Sequence, residues 1–229
     1  MNRSDLKSGR KSKGWSQQEA ARKLKVSQAY LSLLENGSRP VPKELALKAA
    51  NVFGMSAVTL PVNTRWENVQ AGDSSTVAAD LACLGYPDFA YLTTKRAKNP
   101  AEALLSALSA PRLESRVAEA LPWLLFRYPD LDWNALIAAA KSKDLQNRLG
   151  FVTCIARKVA EKLGEKEKAE LLANQEKILE RSRLLLEDTL CNDSLTVAER
   201  NWLNENRPEE AKYWRVLSDL SPEHLSYAT

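Results

Sequence analysis

The stretch that decides the fold lies between residues 14 and 37 and reads GWSQQEAARKLKVSQAYLSLLENG. Ser16 and Glu19 within it have the spacing of a capping box. In that motif the serine hydroxyl accepts a hydrogen bond from the glutamate amide, and the glutamate carboxylate accepts one from the serine amide. The spacing therefore predicts a helix that begins at Gln17 and ends at about Leu24.

A second helix is predicted directly after this one. Ser27 is a good N-cap for a helix over residues 28–36, and Asn36-Gly37 tolerates the left-handed backbone that ends many helices. Lys25-Val26 is then the turn between the two helices, and we expect Lys25 to adopt a left-handed conformation at a modest cost. Two short helices joined by such a turn form a helix-turn-helix.

Two flanking helices complete a small domain. Gly14 ends a first helix over residues 5–13, and Pro42 begins a fourth helix that stops before Gly54. Gly9 lies inside the first helix and is expected to weaken it by about 1 kcal/mol.

The positive charge is concentrated in this domain. Residues 1–60 hold 11 Lys and Arg against 4 Asp and Glu, a net charge of 11 − 4 = +7. The remainder carries (33 − 11) − (29 − 4) = −3, which agrees with the overall +4. A compact basic unit attached to a mildly acidic one indicates a domain that binds a polyanion and a second domain with another role.

The stretch from residue 14 to residue 37 resembles the Cro/phage-repressor type of helix-turn-helix regulator. The positions that carry the resemblance are Gly14-Trp15-Ser16-Gln17, Ala21, Leu24, Val26-Ser27-Gln28-Ala29-Tyr30-Leu31-Ser32 and Leu34-Glu35-Asn36-Gly37. The resemblance implies a lambda-repressor-like domain over residues 1–60 that binds double-stranded operator DNA, as a homodimer on a palindrome.

The resemblance also implies which residues read the bases. Gln28 matches the main base-reading position, where a glutamine amide pairs with N7 and N6 of adenine. Ala29, Ser32 and Leu33 match further positions that face the major groove, and an apolar side chain there suits a thymine methyl group. Because Leu33 stands where a polar base-reader is common, the operator sequence is not predicted.

Other matched positions are implied to hold the DNA backbone. Gln17 matches a phosphate-contacting glutamine at the start of the second helix, and Ser27 suits both a phosphate and its capping role. Asn36, Arg39 and Lys43 fall where such domains hold the flanking backbone or reach the minor groove. The alternative for these three residues is ordinary solvated surface.

Arg10 and Glu35 match a pair that forms a salt bridge between the first and third helices. We assign this pair to the scaffold of the domain rather than to DNA recognition.

The rest of the chain is predicted to be helical, which makes the whole fold all-α. Residues 61–76 are rich in polar and turn-forming residues and are interpreted as a linker, so a larger domain would cover residues 77–229. Apolar residues from Leu145 to Leu163 recur every three or four positions, as in an amphipathic helix. Two sets of leucine and isoleucine repeat at seven between Leu171 and Leu186, which predicts one long helix.

Four residues of this larger domain are candidates for a partner-binding surface. Trp123, Tyr128 and Trp133 form an aromatic cluster that suits either the core or a protein interface, where Trp, Tyr and Arg are common anchors. Arg148 lies beside the apolar seam, in a segment that we expect to contact another helix, with Gly150 permitting close approach. The alternative for this segment is a loop.

The stretch from Leu121 to Phe151 resembles regulators encoded beside nucleotidyltransferase-like abortive-infection toxins, in which the helix-turn-helix protein is the antitoxin. This resemblance implies an autorepressor whose helical domain binds and neutralises a toxin. The alternative is a stand-alone regulator whose helical domain dimerises or senses a ligand.

Several classes of protein are disfavoured by composition. Cys83, Cys154 and Cys191 lie far apart and form no zinc or disulfide pattern, and His224 is the only histidine. With no phosphate-binding glycine loop either, we expect no cofactor, no metal and no enzyme activity. No run of about 18 apolar residues indicates a membrane span, so the protein is expected to be cytoplasmic, and nucleoid-associated when it is bound to its operator.

Overall fold

The computed structural model describes residues 1–62, 66–92 and 98–228. The chain divides into two compact units, which we call the head, Met1–Asn63 with Ala97–Asn99, and the body, Thr64–Arg96 with Pro100–Thr229. The described chain is mostly helical, which confirms the all-α prediction.

The head consists of four helices. They are α1 (Arg3–Ser12), α2 (Gln17–Leu24), α3 (Gln28–Glu35) and α4 (Lys43–Phe53), followed by a 3-10 turn at Ala57–Thr59. Their shared core is formed by Leu6, Ala20, Ala21, Leu24, Leu31, Leu34, Leu45, Ala49 and Phe53. Asn99 is tied to this unit because its amide nitrogen donates to the carbonyls of Val58 and Leu60, at 3.0 and 2.8 Å.

The capping residues of the helix-turn-helix act as the sequence predicts. The Ser16 hydroxyl accepts from the amide of Glu19 at 3.2 Å, and the Glu19 carboxylate accepts from the amide of Ser16 at 2.8 Å. Lys25 adopts the left-handed conformation, with φ of 55°, and the amide of Val26 donates to the carbonyl of Ala21 at 3.0 Å. Local hydrogen bonding therefore fixes both the start of α2 and the turn.

Gly9 has a packing role that the sequence did not reveal. It is buried in α1, and a Cβ atom at this position would lie 2.6 Å from Sδ of Met55 and 3.0 Å from a ring carbon of Phe53. The residue therefore allows α1 to approach the end of α4 closely. This packing offsets the low helix propensity of glycine.

The body is built around one long helix. Its helices are α5 (Ser74–Cys83), α6 (Pro100–Leu108), α7 (Ser115–Glu119), α8 (Leu121–Arg127), α9 (Trp133–Lys141), α10 (Gln146–Lys162), α11 (Lys166–Glu180), α12 (Val197–Asn206) and α13 (Glu209–Tyr213). Short 3-10 turns lie at Trp66–Asn68, Pro87–Phe89, Pro222–His224 and Ser226–Ala228. The first three turns of α10 are buried on every side, and this helix packs against α8 and α11.

A small parallel β-pairing accompanies the helices of the body. Strand β1 (Asp188–Thr189) pairs with strand β2 (Val216–Leu217), with Asp188 opposite Val216 and Thr189 opposite Leu217. Strands of two residues carry no alternating pattern, which is why the sequence did not indicate them.

The structure differs from the predicted linker over residues 61–76. Trp66–Asn68 is a 3-10 turn, Val69 is buried, and the Ser106 hydroxyl donates to the carbonyl of Gln70 at 2.9 Å. The polar residues that follow are a helix start, since the Asp73 side chain accepts from the amide of Thr76 at 2.8 Å and caps α5. Residues 63–65 of the predicted linker lie outside the described residues.

The predicted long helix between Leu171 and Leu186 is corrected, because α11 ends at Glu180. Beyond it, the buried side chain of Asn147 accepts from the amide of Leu184 at 2.8 Å and donates to the carbonyls of Leu184 and Leu186 at 3.1 and 3.3 Å. These bonds hold the backbone in a non-helical path, and Leu185 and Leu186 are 78% and 77% exposed.

The four candidate partner-binding residues of the body are also corrected, because all of them are buried. Trp123, Tyr128, Trp133 and Arg148 are each less than a tenth exposed. The Tyr128 hydroxyl donates to the carbonyl of Leu84 and the Trp133 indole to that of Pro129, both at 2.8 Å. These residues therefore belong to the core, where the hydroxyl of Tyr128 and the indole N–H of Trp133 still find hydrogen-bond partners.

Arg148 is held inside the body by a network of acceptors. Its guanidinium forms two bonds of 2.8 Å with the Asp188 carboxylate, one of 2.9 Å with Asp193, and one of 3.0 Å with the carbonyl of Leu108. A buried charge is tolerated only when it is paired and hydrogen-bonded in this way. The residue joins α10 to the segment that contains β1.

The close approach expected at Gly150 exists, and the group that approaches is the indole of Trp214. A Cβ atom at Gly150 would lie 2.2 Å from a ring carbon of this fully buried side chain.

Gly150→Ala should therefore destabilise the body by about 3 kcal/mol, since neither helix α10 nor the indole has room to move. Urea unfolding followed by tryptophan fluorescence measures the change.

Lys162→Ala at the exposed end of the same helix is the control, with an expected change within about 0.5 kcal/mol. Equal stabilities of the two variants would contradict the packing argument.

Candidate nucleic-acid interface

The N-terminal end of α3 is open to solvent. Ser27, Gln28 and Ala29 are exposed, and the Ser27 hydroxyl accepts from the amide of Tyr30 at 3.1 Å, so it caps the helix. A capped, exposed helix start on a strongly basic unit can enter the major groove of DNA.

The ion pair expected between Arg10 and Glu35 is present. Nε and Nη2 of Arg10 donate to Oε1 and Oε2 of Glu35 at 2.7 and 2.9 Å, and Nη1 of Arg10 donates to the carbonyl of Trp15 at 2.9 Å. The Glu35 side chain is only 1% exposed. This bidentate pair joins α1 to α3 inside the head.

The surroundings of Glu35 favour its charged form. Burial alone would raise the pKa of this carboxyl, but the hydrogen bonds from Arg10 and Gln17 and the positive charge of Arg10 outweigh it and lower the pKa. The carboxylate is therefore ionised at neutral pH and acts only as a hydrogen-bond acceptor.

Gln17 connects this ion pair to the start of α3. Its Nε2 donates to Oε2 of Glu35 at 2.9 Å, and its Oε1 accepts from Nε2 of Gln28 at 2.9 Å. Because the carboxylate accepts only, the amide of Gln17 must turn its nitrogen to Glu35 and its oxygen to Gln28. Gln28 therefore keeps Oε1 and one N–H for another partner.

The remaining residues expected to face the groove lie along α3. Ala29 is exposed and Leu33 is 39% exposed, and their spacing of four residues places them on one side of the helix. Ser32 is half-buried, and its hydroxyl accepts from Nδ2 of the Asn36 side chain at 3.3 Å. The surface beside Gln28 therefore combines apolar and hydroxyl groups.

Residues at the far end of α3 are also exposed. Asn36 follows the helix, Arg39 lies in the next segment with its guanidinium 6.0 Å from the ring centre of Tyr30, and Lys43 is the first residue of α4. Their exposure agrees with a backbone-contacting role as well as with the alternative of a solvated surface.

Sequence reasoning missed two features of this surface. It assigned Glu35 to the scaffold alone, although the carboxylate also sets the amide orientation of Gln17, a relation between residues 18 positions apart that no local pattern indicates. It also passed over Arg3, whose side chain lies against Gly37, because an arginine in a first helical turn has no distinctive spacing.

Two absences apply to the part of the chain that the structure describes. Residues 1–62, 66–92 and 98–228 hold no group of three or more His, Cys, Asp or Glu side chains that is arranged to bind a metal ion. Among the helices within these ranges, none has both the length and the apolar character needed to cross a bilayer.

The geometry of α2, the turn and α3 defines a helix-turn-helix DNA-binding domain. Comparison with protein families agrees, because the helix-turn-helix family model matches residues 6–60, and this domain is of the Cro type. The match covers the head alone. Comparison with curated proteins and with solved structures found no match.

Removal of the Glu35 charge should destabilise the head. Glu35→Gln leaves the mostly buried guanidinium of Arg10 without its counter-charge, and we expect a loss of about 3 kcal/mol at neutral pH. Hydrogen exchange of amides in α1 and α3 measures this loss separately from the body.

The loss of stability caused by Glu35→Gln should depend on pH. Because folding lowers the pKa of Glu35, the stabilisation is complete above the ordinary glutamate pKa of 4.5 and is lost progressively as pH falls from there through the lower pKa of the folded state. Glu44→Gln at an exposed position of α4 is the control. If both variants showed the same exchange rates at neutral pH, the structural role of the ion pair would be contradicted.

Proposed function

We propose that the protein is a transcriptional regulator that binds a specific operator through α3 and represses its own operon. The observation that carries this proposal is the exposed Gln28 side chain, oriented by Gln17 at the start of α3, within the first 60 residues, which carry a net charge of +7. Such a regulator acts in the cytoplasm and is associated with the nucleoid when it is bound to its operator.

The free atoms of Gln28 match adenine. Oε1 accepts from the N6 amino group of the base, and the remaining N–H donates to N7, which distinguishes adenine from the other bases in the major groove. Ala29 and Leu33, on one side of the same helix, suit the methyl groups of neighbouring thymines, and the Ser32 hydroxyl pairs with either kind of edge group. We therefore propose a half-site with at least one A·T pair.

Backbone contacts would fix the register of the head on the duplex. Gln17 stands at the N-terminus of α2, where free amides and the helix dipole favour a phosphate, and Ser27 stands at the same place on α3. Asn36, Arg39 and Lys43 would hold the flanking phosphates. These contacts supply affinity, whereas the bases supply sequence preference.

We also propose that two copies bind a palindromic operator. The eight residues of α3 offer only three or four side chains to base edges, which specify a short sequence. A homodimer doubles the number of bases read, and the symmetry of the operator then follows from the symmetry of the protein.

Gln28→Ala should weaken binding to the preferred duplex by about 1–3 kcal/mol, because two hydrogen bonds to adenine are lost, while binding to random duplex changes little. The preferred duplex is first selected from a random pool with the wild-type protein. Fluorescence anisotropy then gives both affinities at one salt concentration.

Gln175→Ala, which removes the same side chain from α11 of the body, is the control. If Gln28→Ala lowered the affinity for selected and random duplexes equally, the base-reading role of Gln28 would be rejected.

For the body we propose the role of an antitoxin that binds and neutralises a protein toxin. Support comes from the resemblance of residues 121–151 and from Leu185 and Leu186, which are exposed on a backbone held by Asn147 and by Arg215, whose Nη1 donates to the carbonyl of Leu185 at 3.0 Å. Large apolar side chains exposed together are typical of interaction sites, and on a fixed backbone they lose little entropy on binding.

The body offers little support for catalysis. Burial raises the pKa of Cys154 and of Cys191 to about 12, so both remain thiols at neutral pH and are poor nucleophiles. These two thiols therefore give no support to a nucleophilic role, and we propose a binding function for the body.

Co-expression with the product of the neighbouring gene tests the antitoxin role. We expect the two proteins to co-purify, and we expect the double variant Leu185→Ser/Leu186→Ser to lose the partner while it remains folded, because both side chains are exposed. Val197→Ser, another exposed apolar position of the body at 76% exposure, should retain the partner. If the wild-type protein purified alone, the stand-alone regulator, with a body that dimerises or senses a ligand, would be favoured.

A further inference from the structure

Arg3 occupies an unusual position beside the end of α3. A Cβ atom added to Gly37, which has φ of +79°, would lie 2.9 Å from Cδ and 3.0 Å from Nη1 of Arg3. Nη1 of Arg3 also lies 3.5 Å from the carbonyl oxygen of Asn36, at the limit of a hydrogen bond. The arginine side chain is thus laid across the Asn36-Gly37 backbone, and the absence of a side chain at Gly37 makes room for it.

No carboxylate in the described part of the chain balances the charge of Arg3. Its side chain is exposed, and within the described ranges it forms no ion pair with a carboxylate. Arg3 is also the first residue of α1, where the helix dipole disfavours a positive charge. A cation held at this end of a helix, with one long contact to a carbonyl, contributes little to the stability of the head.

Its neighbours supply a reason for the charge. The backbone under Arg3 belongs to Asn36 and Gly37, which directly follow α3, and Arg39 lies two residues further on. Asn36 and Arg39 are the residues that the proposed function places against flanking phosphates. Arg3 places a guanidinium at the same edge of the head, and most of its five N–H donors have no acceptor in the described part of the chain.

We propose that Arg3 binds a phosphate of the DNA backbone beside the half-site, held over Gly37 as a preformed arm of the interface. The proposal rests on the proposed function of the head and adds a contact outside the helix-turn-helix itself. A guanidinium suits this role because its paired N–H groups match two oxygens of a phosphodiester. The contact is independent of sequence and strengthens binding to all duplexes alike.

The salt dependence of DNA binding tests this assignment. The full chain is titrated with a random-sequence duplex at several sodium chloride concentrations, so that no knowledge of the operator is needed. Loss of one phosphate contact should reduce the slope of log K against log salt by about 0.9 in Arg3→Ala. Arg3→Lys retains the charge and should keep most of the slope.

Arg200→Ala is the matched control, because Arg200 is also exposed on a helix with one long contact, Nε to the carbonyl of Leu195 at 3.4 Å, but belongs to the body. This variant should keep the wild-type slope. A folded Arg3→Ala protein with the wild-type slope would overturn the proposal, and a lower melting temperature with that slope would make Arg3 a cap of α3 instead. If the wild-type protein itself showed no salt-dependent binding, the proposed function of the head would fail.

Discussion

The buried ion pair between Arg10 and Glu35 is the constraint on which the head depends. A carboxylate that is 1% exposed must be paired, and Arg10 satisfies both of its oxygens at 2.7 and 2.9 Å. Because the charged carboxylate only accepts hydrogen bonds, the amide of Gln17 has one orientation beside it, and the amide of Gln28 has one orientation beside Gln17. A charge inside the head therefore sets which atoms are offered at its surface.

The chain of hydrogen bonds from Glu35 through Gln17 to Gln28 has a thermodynamic consequence for recognition. A free glutamine side chain loses about 1.5–2 kcal/mol of conformational entropy when it is fixed. The bond between Gln28 and Gln17 fixes much of that freedom during folding, before DNA arrives. Less entropy is then lost on binding, which is the general advantage of a preorganised interface. It also explains how Gln28, the residue proposed to read a base, can be exposed and still keep a fixed hydrogen-bond partner.

The sequence predicted the head better than the body because the signals in the head are local. The capping box at Ser16 and the left-handed turn at Lys25 depend on residues within five positions of each other. The path of Leu184 to Leu186, in contrast, is fixed by Asn147, which lies 37 residues earlier, so a leucine repeat looked like a continuous helix. Trp123 suited both a core, which was the favoured interpretation, and an interface from its residue type alone. The pair of Arg10 and Glu35 was expected only through the resemblance, since its partners lie 25 residues apart.

The same physical device recurs in both units. In the head, buried Glu35 fixes Gln17 and thereby the exposed Gln28, and in the body, buried Asn147 fixes the backbone that carries the exposed Leu185 and Leu186. A buried polar group must have its hydrogen bonds satisfied, and it therefore holds whatever segment supplies them. Two apolar leucines left in water on such a segment gain nothing for the stability of the unit. Their fixed exposure agrees with the partner-binding role that we propose for this segment, as the exposed start of α3 agrees with DNA binding.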